Sequence, residues 1–393
     1  MDGETWRHYG EALEENLQDL SHRLKRGAYR AKPVRRVYIP KADGRQRPLG
    51  VTALEDKLVQ RATVEVLNAI YETDFLGFSY GFRPGRSQHK ALDALYCGLD
   101  ERRVNWVLDL DVRSFFGSLS HEWMLRFVEH RVGDQRLISL IRRWLKAGVF
   151  ENGEVHPSEE GTPQGGSVSV LLSNVYLHYV LDLWFERVVK PRLRGEACMV
   201  RYIDDFVLCF QFRSDALRAQ EALVKRLSKF SLNLEPKKTK LVEFGRYAHR
   251  HASKRGRKRP ETIYFLGFTL YCTRNQKGNF RIGMLTEKSR LRRALMRLQD
   301  QMRRMRHLSL REQVNCLNQM LRGHYAYYGV AGNLRALLRV HRAVEHYWRK
   351  MLSSRSWHGT VRWEQFQRIK EQFPLLRPKL HYSYKELQAI AIL

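Results

Sequence analysis

The stretch Met199-Val-Arg-Tyr-Ile-Asp-Asp-Phe-Val-Leu-Cys-Phe210 places two adjacent carboxylates, Asp204 and Asp205, inside an apolar run. The β-branched and aromatic residues on both sides predict two short strands joined by a tight turn. The acids would then lie at the tip of a hairpin, where both can turn toward one divalent cation. For an isolated motif, an Asp-rich turn on the surface is the alternative interpretation.

A second source of carboxylates is Asn105-Trp-Val-Leu-Asp-Leu-Asp-Val-Arg-Ser-Phe-Phe-Gly117. Its first half predicts a buried strand, in which Asp109 and Asp111 point to the same side because they are two residues apart. Acids in a buried strand are costly unless a metal or another partner compensates them. Asp109 is left open between a supporting role beside metal ligands and simple strand polarity.

A third piece, Gly161-Thr-Pro-Gln-Gly-Gly-Ser167, is a Gly-rich turn that opens a long apolar helix. The three pieces, in this order and spacing, resemble motifs of reverse transcriptases, most closely those of the group II intron-like branch. That branch carries Tyr-x-Asp-Asp, Gly-Thr-Pro-Gln-Gly and Asp-x-x-x-Phe-Phe, and all three are present here. The resemblance extends from about Asp2 to the C-terminus.

The charge of the chain points to a polyanionic partner. The 393 residues are 43% apolar, as in a globular protein, but carry a formal net charge of +29. Such an excess is far beyond what solubility needs. Nucleic acid is favoured over a membrane surface, because no stretch reaches about 18 apolar residues and no signal peptide opens the chain.

The five cysteines are odd in number and form no Cys-x-x-Cys pair. This pattern argues against a disulfide framework and against a zinc site. It fits a reducing compartment, so the sequence predicts a cytoplasmic protein of the bacterial cytosol or nucleoid.

The resemblance implies a mixed α/β (α+β) fold of the right-hand polymerase type, with fingers, a palm built on an antiparallel sheet plus helices, and an all-helical thumb. The implied parts are an N-terminal extension helix at 1–33, fingers with the start of the palm at 34–110, the palm with finger insertions at 111–284, and a maturase-like thumb at 285–393. The chain has no His-Asn-His pattern, so we expect no endonuclease domain.

The resemblance also implies that Asp111, Asp204 and Asp205 are the catalytic carboxylates. Together with the backbone carbonyl of Val112 they would bind two divalent ions, Mg²⁺ or Mn²⁺. Mg²⁺ prefers hard oxygen ligands. Two such ions stabilise the attacking and leaving oxygens when a primer 3′-OH displaces pyrophosphate.

Five further residues are implied to contact the incoming nucleotide. Lys41 and Arg47 would grip its triphosphate from a fingertip hairpin, and Lys238 would approach the pyrophosphate leaving group. Phe116 would be the steric gate that fills the space of a ribose 2′-OH, and Gln164 would lie near the templating base and incoming sugar. The alternatives are solvated basic loops for the cations and ordinary core packing for Phe116.

Two arginines are candidates for binding template phosphates. Arg83 and Arg86 lie in Tyr80-Gly-Phe-Arg-Pro-Gly-Arg-Ser87, whose Gly and Pro residues predict an irregular loop. A purely structural loop is the alternative. Toward the C-terminus, helices with basic faces and interleaved aromatic residues suit tracking along a duplex backbone.

The variable position of Tyr-x-Asp-Asp is Ile203, whereas intron-encoded relatives usually have Ala there. Beside Tyr202, the larger β-branched side chain would press on the primer terminus. Relatives with Ile form a free-standing, domesticated branch associated with DNA repair by joining broken ends through short matched sequences. Gly117 departs from the acid usual in the family, and nothing in the sequence explains the change.

We therefore predict a reverse transcriptase or DNA polymerase that extends a primer 3′-OH with dNTPs on RNA or DNA templates. Its predicted partners are RNA templates, DNA primers and DNA 3′ overhangs, with no membrane, and its role is host double-strand break repair by microhomology-mediated end joining. The alternative is an intron-encoded maturase-type RNA-binding protein that assists splicing and retrohoming. The sequence leaves the oligomeric state open, with a homodimer among the options.

Overall fold

The computed structural model describes residues 3–40, 44, 46–162, 165–356 and 359–382. The backbone forms two compact units. The first contains the described residues up to Ala91 and Trp106–Leu241, and the second contains Leu92–Asn105 and the described residues from Val242 onward. This division does not test the predicted boundaries after residues 33, 110 and 284, which stay predictions.

The strands are short and form three separate sheets. In chain order the described strands are β1 Val34–Pro40, β2 Gln46–Val51, β3 Trp106–Asp111, β4 Val149–Glu151, β5 Glu154–His156, β6 Ala197–Tyr202, β7 Asp205–Phe210, β8 Lys240–Glu243, β9 Ile263–Phe265, β10 Phe268–Arg274 and β11 Phe280–Thr286. The orders within the three sheets are β2-β1-β4-β5, β6-β7-β3-β8 and β11-β10-β9.

The helices precede, separate and follow these strands along the chain and account for nearly half of the described residues. They are α1 Trp6–Glu11, α2 Leu13–Lys25, α3 Leu54–Tyr71, α4 Gln88–Asp100, α5 His121–Glu129, α6 Gln135–Lys146, α7 Ser167–Leu177, α8 Arg213–Ser228, α9 Ala248–Lys254, α10 Lys288–Arg304, α11 Leu310–Tyr328, α12 Leu334–Ser353 and α13 Trp363–Gln372. The predicted mixed α/β composition is therefore confirmed. The N-terminal extension, predicted as one helix, is two helices, because Ala12 leaves the helical region with φ −126° and ψ 46°.

The core of the first unit is built around α7 and the strands β3, β6 and β7. Nine residues of α7 are buried, as its apolar sequence predicts. The helix continues into π-helical turns at His178–Asp182 and Phe185–Val189. By length and composition alone, Ser167–Arg192 would qualify as a membrane span, yet 78% of its most apolar window is buried inside the protein.

The second unit combines the antiparallel sheet β11-β10-β9 with helices α10 to α13. Its core centres on Trp348, which is fully buried and donates its indole N–H to the Gln313 side chain at 2.8 Å. A capping box of Ser309 and Glu312 opens α11, which satisfies backbone amides that the first helical turn leaves without partners.

Candidate active site

The predicted hairpin is present, and its register gathers the acids. Strands β6 and β7 pair antiparallel with Tyr202 opposite Asp205, so Ile203 and Asp204 form the two-residue turn. Strand β3 pairs with the other side of β7, with Asp111 opposite Asp205. Three carboxylates from two distant parts of the sequence therefore lie at one end of a single sheet.

The turn carries backbone strain. Ile203 has φ 58°, a left-handed conformation that β-branched residues rarely adopt. Hairpin turns with positive φ usually use Gly, Asn or Asp. Strain of this kind costs roughly 1–3 kcal/mol and persists only where the surroundings hold it in place.

A buried ion pair is one of the contacts that hold the strained turn in place. Arg201 and Asp182 are both fully buried, and the guanidinium donates two hydrogen bonds to the carboxylate, at 2.7 and 2.5 Å. Nη1 of the same guanidinium donates to the Ile203 carbonyl at 3.2 Å and to the Asn174 side-chain oxygen at 3.0 Å, and Nη2 also donates to the Ser79 hydroxyl at 2.8 Å. The network thus ties α7 and its π-helical extension to the backbone of the turn.

The loop that contains Tyr80 and Gly81, before α4, also contacts the turn. The Tyr80 amide donates to the Arg201 carbonyl at 2.8 Å, and the Asn174 amide donates to the Gly81 carbonyl at 2.7 Å. A Cβ at Gly81 would lie 2.6 Å from the backbone nitrogen of Ile203. Only glycine fits this close backbone approach.

These contacts change the interpretation of Ile203. Its side chain is only 6% exposed and belongs to the core of the first unit. The predicted direct pressure on a primer terminus is therefore wrong for this structure, because the side chain points into the protein toward Gly81. Its bulk acts on the Gly81 loop instead.

A cavity of about 870 Å³ opens beside the turn. Six predicted site residues line it: Asp111, Val112, Asp204, Arg47, Phe116 and Lys238. Glu235 and Lys237, which the sequence did not single out, line it as well. Arg47 reaches the cavity from β2, where it pairs with Ile39 of β1.

The carboxylates in this cavity interact electrostatically with each other and with nearby cations. Burial raises the pKa of Asp204, the negative charge of Asp111 raises it further, and Arg47 and Arg201 oppose both effects. Lys238 Nζ donates to Asp111 Oδ2 at 2.5 Å. The pair is open to solvent, since the lysine and aspartate side chains are 57% and 41% exposed.

The donor set fits a divalent cation. Among the described residues, no three His, Cys, Asp or Glu side chains are already gathered as a metal site. Two carboxylates whose charges repel each other nevertheless favour a cation between them. The Arg113 amide donates to Asn233 and the Asp111 carbonyl accepts from Glu235, each at 2.8 Å. Because carbonyls alternate along a strand, that of Val112 points away from this segment.

The two phenylalanines after Asp111 both line the cavity, with ring centroids 5.3 Å apart. Phe115 is buried in the core of the first unit, and the half-buried Phe116 packs against the same core. The predicted gate role of Phe116 stays a prediction. Lys41 and Gln164 lie outside the described residues, so their predicted roles stay predictions.

The structure corrects the prediction for Arg83. Its guanidinium is buried and donates to both carboxylate oxygens of Glu72 at 3.0–3.2 Å and to the carbonyls of Leu76, Ser79 and Phe75 at 2.7, 2.8 and 3.4 Å. These partners saturate the group, which leaves no donor for a template phosphate. Arg86 is only half-buried, with its guanidinium 5.3 Å from the Tyr80 ring.

The residues that sequence reasoning missed are the ones that hold the turn. Arg201 interrupts an apolar strand, and Asn174 and Asp182 interrupt an apolar helical stretch. Polar groups in such positions need partners. That signal was available, although the sequence does not say which groups meet.

Comparison with known proteins indicates the same family as the sequence motifs do. The sequence pattern of the reverse transcriptase (RNA-dependent DNA polymerase) family matches residues 39–270. Protein YkfC of Escherichia coli (strain K12) is 34% identical over 300 residues, which cover 68% of this chain and 74% of YkfC. The group II intron-encoded protein LtrA of Lactococcus lactis subsp. cremoris is 39% identical over 190 residues, or 47% of this chain and 31% of LtrA. A telomerase structure from Candida albicans has a TM-score of 0.48 at 12% identity, over 93% of this chain and 66% of that chain.

Proposed function

Because the chain belongs to the reverse transcriptase family, whose members are RNA-dependent DNA polymerases, we propose that it extends a primer 3′-OH with dNTPs on RNA or DNA templates. The observation that carries this proposal is the cavity in which Asp111 and Asp204 meet Arg47, Phe116 and Lys238. Carboxylates for metal, cations for phosphate and a ring beside the sugar position are what nucleotidyl transfer needs.

In this proposal the sheet β6-β7-β3-β8 is the palm, the hairpin of β1 and β2 is the fingertip, and helices α10 to α13 form the thumb. Asp111, Asp204, Asp205 and the Val112 carbonyl would hold two Mg²⁺ or Mn²⁺ ions, which when bound stabilise charge on the attacking and leaving oxygens. Arg47 offers a guanidinium fork to the triphosphate.

Two other side chains shape nucleotide selection in the proposal. Lys238 places an ammonium beside Asp111, where the pyrophosphate would leave. Phe116 fills the space of a ribose 2′-OH, so ribonucleotides should be poor substrates. Efficient incorporation of ribonucleotides by the wild-type protein would contradict this role for the ring.

We further propose that the polymerase joins broken DNA ends through short matched sequences and fills the gaps. Support comes from Ile203, the residue that marks the resemblance to free-standing repair enzymes. No disulfide joins any of the five cysteines, all of which lie in the part of the chain that the structure describes, in keeping with work in the bacterial cytosol at the nucleoid. Recovery of the protein in a fraction other than cytosol or nucleoid would contradict that location.

One experiment tests both levels of the proposal. The purified protein receives dNTPs, Mg²⁺ or Mn²⁺, and two substrates in parallel: a long RNA template with a DNA primer, and two DNA duplexes with short complementary 3′ overhangs. Efficient joining and fill-in is the expected result. Long products on RNA without joining would remove the repair role, and activity on neither substrate would remove the polymerase.

The position of Ile203 sharpens the test. Replacing it in an Ile203→Ala variant removes the bulk that fixes the Gly81 loop. We expect the ratio of joined ends to long extension products to fall in this variant. An unchanged ratio would refute a role for the side chain in choosing between the two reactions.

The similarity to LtrA supports a second candidate, a maturase-type protein that binds a structured RNA. Asp204→Ala discriminates the two in cells. Loss of the biological effect favours polymerisation, whereas a retained effect with tight RNA binding favours the maturase role.

A further inference from the structure

One aromatic ring at the edge of the site stands out by its exposure. The Phe82 side chain is 66% exposed, although Tyr80, Gly81 and Arg83 on either side of it are buried. Its ring centroid lies 5.9 Å from that of Tyr202, the first residue of the Tyr-Ile-Asp-Asp motif. A large apolar side chain is therefore presented to solvent next to the proposed catalytic turn.

The backbone holds this ring outward at a cost in strain. Phe82 has φ 54°, a left-handed conformation in which a bulky residue is an outlier. Backbone strain of this kind clusters at ligand-binding sites, where the surroundings enforce it.

The surroundings leave the loop little freedom to relax. Gly81 is fixed by the hydrogen bond from Asn174 and by contact with Ile203. The Phe82 amide hydrogen-bonds the Tyr202 hydroxyl, which lowers the pKa of that tyrosine against the larger raising effect of burial. Arg83 anchors the next residue through Glu72. The ring is thus pre-organised rather than loosely exposed.

The surrounding charge suits nucleic acid. The Arg86 guanidinium lies over the Tyr80 ring. Lys90, which is half-buried near the start of α4, donates to the Gly85 carbonyl at 2.6 Å. Aromatic rings interleaved with cations are typical of surfaces that bind nucleic-acid strands, because every base offers a face for stacking.

We infer that Phe82 is a stacking platform for one nucleobase of the bound primer–template, and that it positions the strand at the Asp111 and Asp204 cavity. This inference rests on the proposed polymerase function. Stacking on a ring selects no particular base, so Phe82 should help any sequence to the same degree. Ile203 would act through it, since its side chain supports the neighbouring Gly81.

The strained φ makes a clean variant available. Phe82→Gly removes the ring and also relieves the strain, so the variant should fold with a melting temperature no lower than that of the wild type. Its affinity for a fluorescently labelled primer–template, measured by anisotropy without dNTPs, should fall about 5- to 150-fold, the range expected for one lost base–aromatic stack.

Two variants control for the ring and for exposed aromatic area. Phe82→Tyr keeps the stacking face and should bind within about twofold of the wild type. Phe212→Ala removes another exposed ring of the same unit, which stands near Arg194, and should leave affinity unchanged. Wild-type affinity in Phe82→Gly would overturn the inference.

An abasic scan separates a base contact from a general structural effect. A single base is removed at successive positions of either strand near the primer terminus. At one position the loss should weaken the wild type by the same factor as Phe82→Gly, with no further loss when the two changes are combined. Additive losses at every position would overturn the inference while leaving the polymerase intact. A wild type that neither binds nor extends primer–template would instead overturn the proposed function.

Discussion

Two ion pairs adjoin the Tyr202–Asp205 turn, and their surroundings are opposite. Arg201 and Asp182 are fully buried and meet through two hydrogen bonds, and Arg201 donates a further one to the Ile203 carbonyl in the turn. Lys238 and Asp111 meet through one bond at 2.5 Å and are 57% and 41% exposed. The two ion pairs beside this turn therefore differ in their burial, although both join a cation to a carboxylate.

Burial decides what each pair can do. Removing one partner of a buried pair leaves an uncompensated charge in the interior, at about 3–5 kcal/mol. An exposed pair contributes only about 0–1 kcal/mol, because water replaces the lost partner. The buried pair is thus suited to hold a strained backbone, and the exposed pair is suited to open when nucleotide and metal arrive.

The largest expected effect concerns the buried pair. Arg201→Met and Asp182→Leu should each lower the free energy of unfolding by about 3–5 kcal/mol, because each leaves the charge of the other residue unpaired in the interior. The double variant should lose far less than the sum, because it leaves no charge behind. Urea unfolding measures all three. Single-variant losses below about 1 kcal/mol would remove the distinction between the pairs.

A buried acid that lacks a cation sharpens the comparison. Among the described residues, Asp93 Oδ2 has no hydrogen-bond partner, and burial raises the pKa of Asp93 from 3.8 to about 7. The folded state thus holds the proton more tightly than the unfolded state. The resulting stability is complete below pH 3.8 and is lost as the pH rises through about 7.

Asp93→Asn should therefore resemble the wild type at pH 4 and be more stable at pH 9, by at most about 4 kcal/mol. Urea unfolding at the two pH values measures the difference. Asp134→Asn is the control, because its carboxylate caps α6 from an exposed position and its pKa is lowered by Arg136. A gain at pH 9 no larger than that at pH 4 would contradict the account of Asp93.

The smallest expected stability effect concerns the exposed pair. Lys238→Ala should change the free energy of unfolding by less than about 1 kcal/mol. Its kcat/KM for dNTPs should nevertheless fall about 10- to 150-fold, the value of one lost hydrogen bond from a charged donor to phosphate. Lys237→Ala, from the neighbouring cavity-lining residue, is the control. A large stability loss with unchanged kcat/KM would reverse the assignment.

Local sequence patterns predicted the features that depend on local structure. The hairpin around Asp204 follows from β-branched and aromatic residues on both sides of a turn, and the buried helix from Ser167 follows from its apolar sequence. The opposition of Asp111 and Asp205 was expected only through family resemblance, because strand register is a property of the folded sheet.

The failures arose where a long-range partner decides the role of a residue. Arg83 resembles a phosphate ligand in a Gly- and Pro-containing loop, but Glu72 of the preceding segment takes its guanidinium. Ile203 was predicted to press on a primer terminus, but Gly81 and the core cover its side chain. No local pattern reveals either contact.

The central claim is that the cavity at Asp111 and Asp204 is the polymerase centre. The most direct measurement is primer extension by Asp204→Asn with Mg²⁺ and dNTPs, beside Glu122→Gln, an exposed carboxylate of α5 that is 70% exposed. The account predicts that Asp204→Asn folds and binds primer–template but extends it at least about a hundredfold more slowly, whereas Glu122→Gln matches the wild type. Wild-type extension by Asp204→Asn would contradict the account.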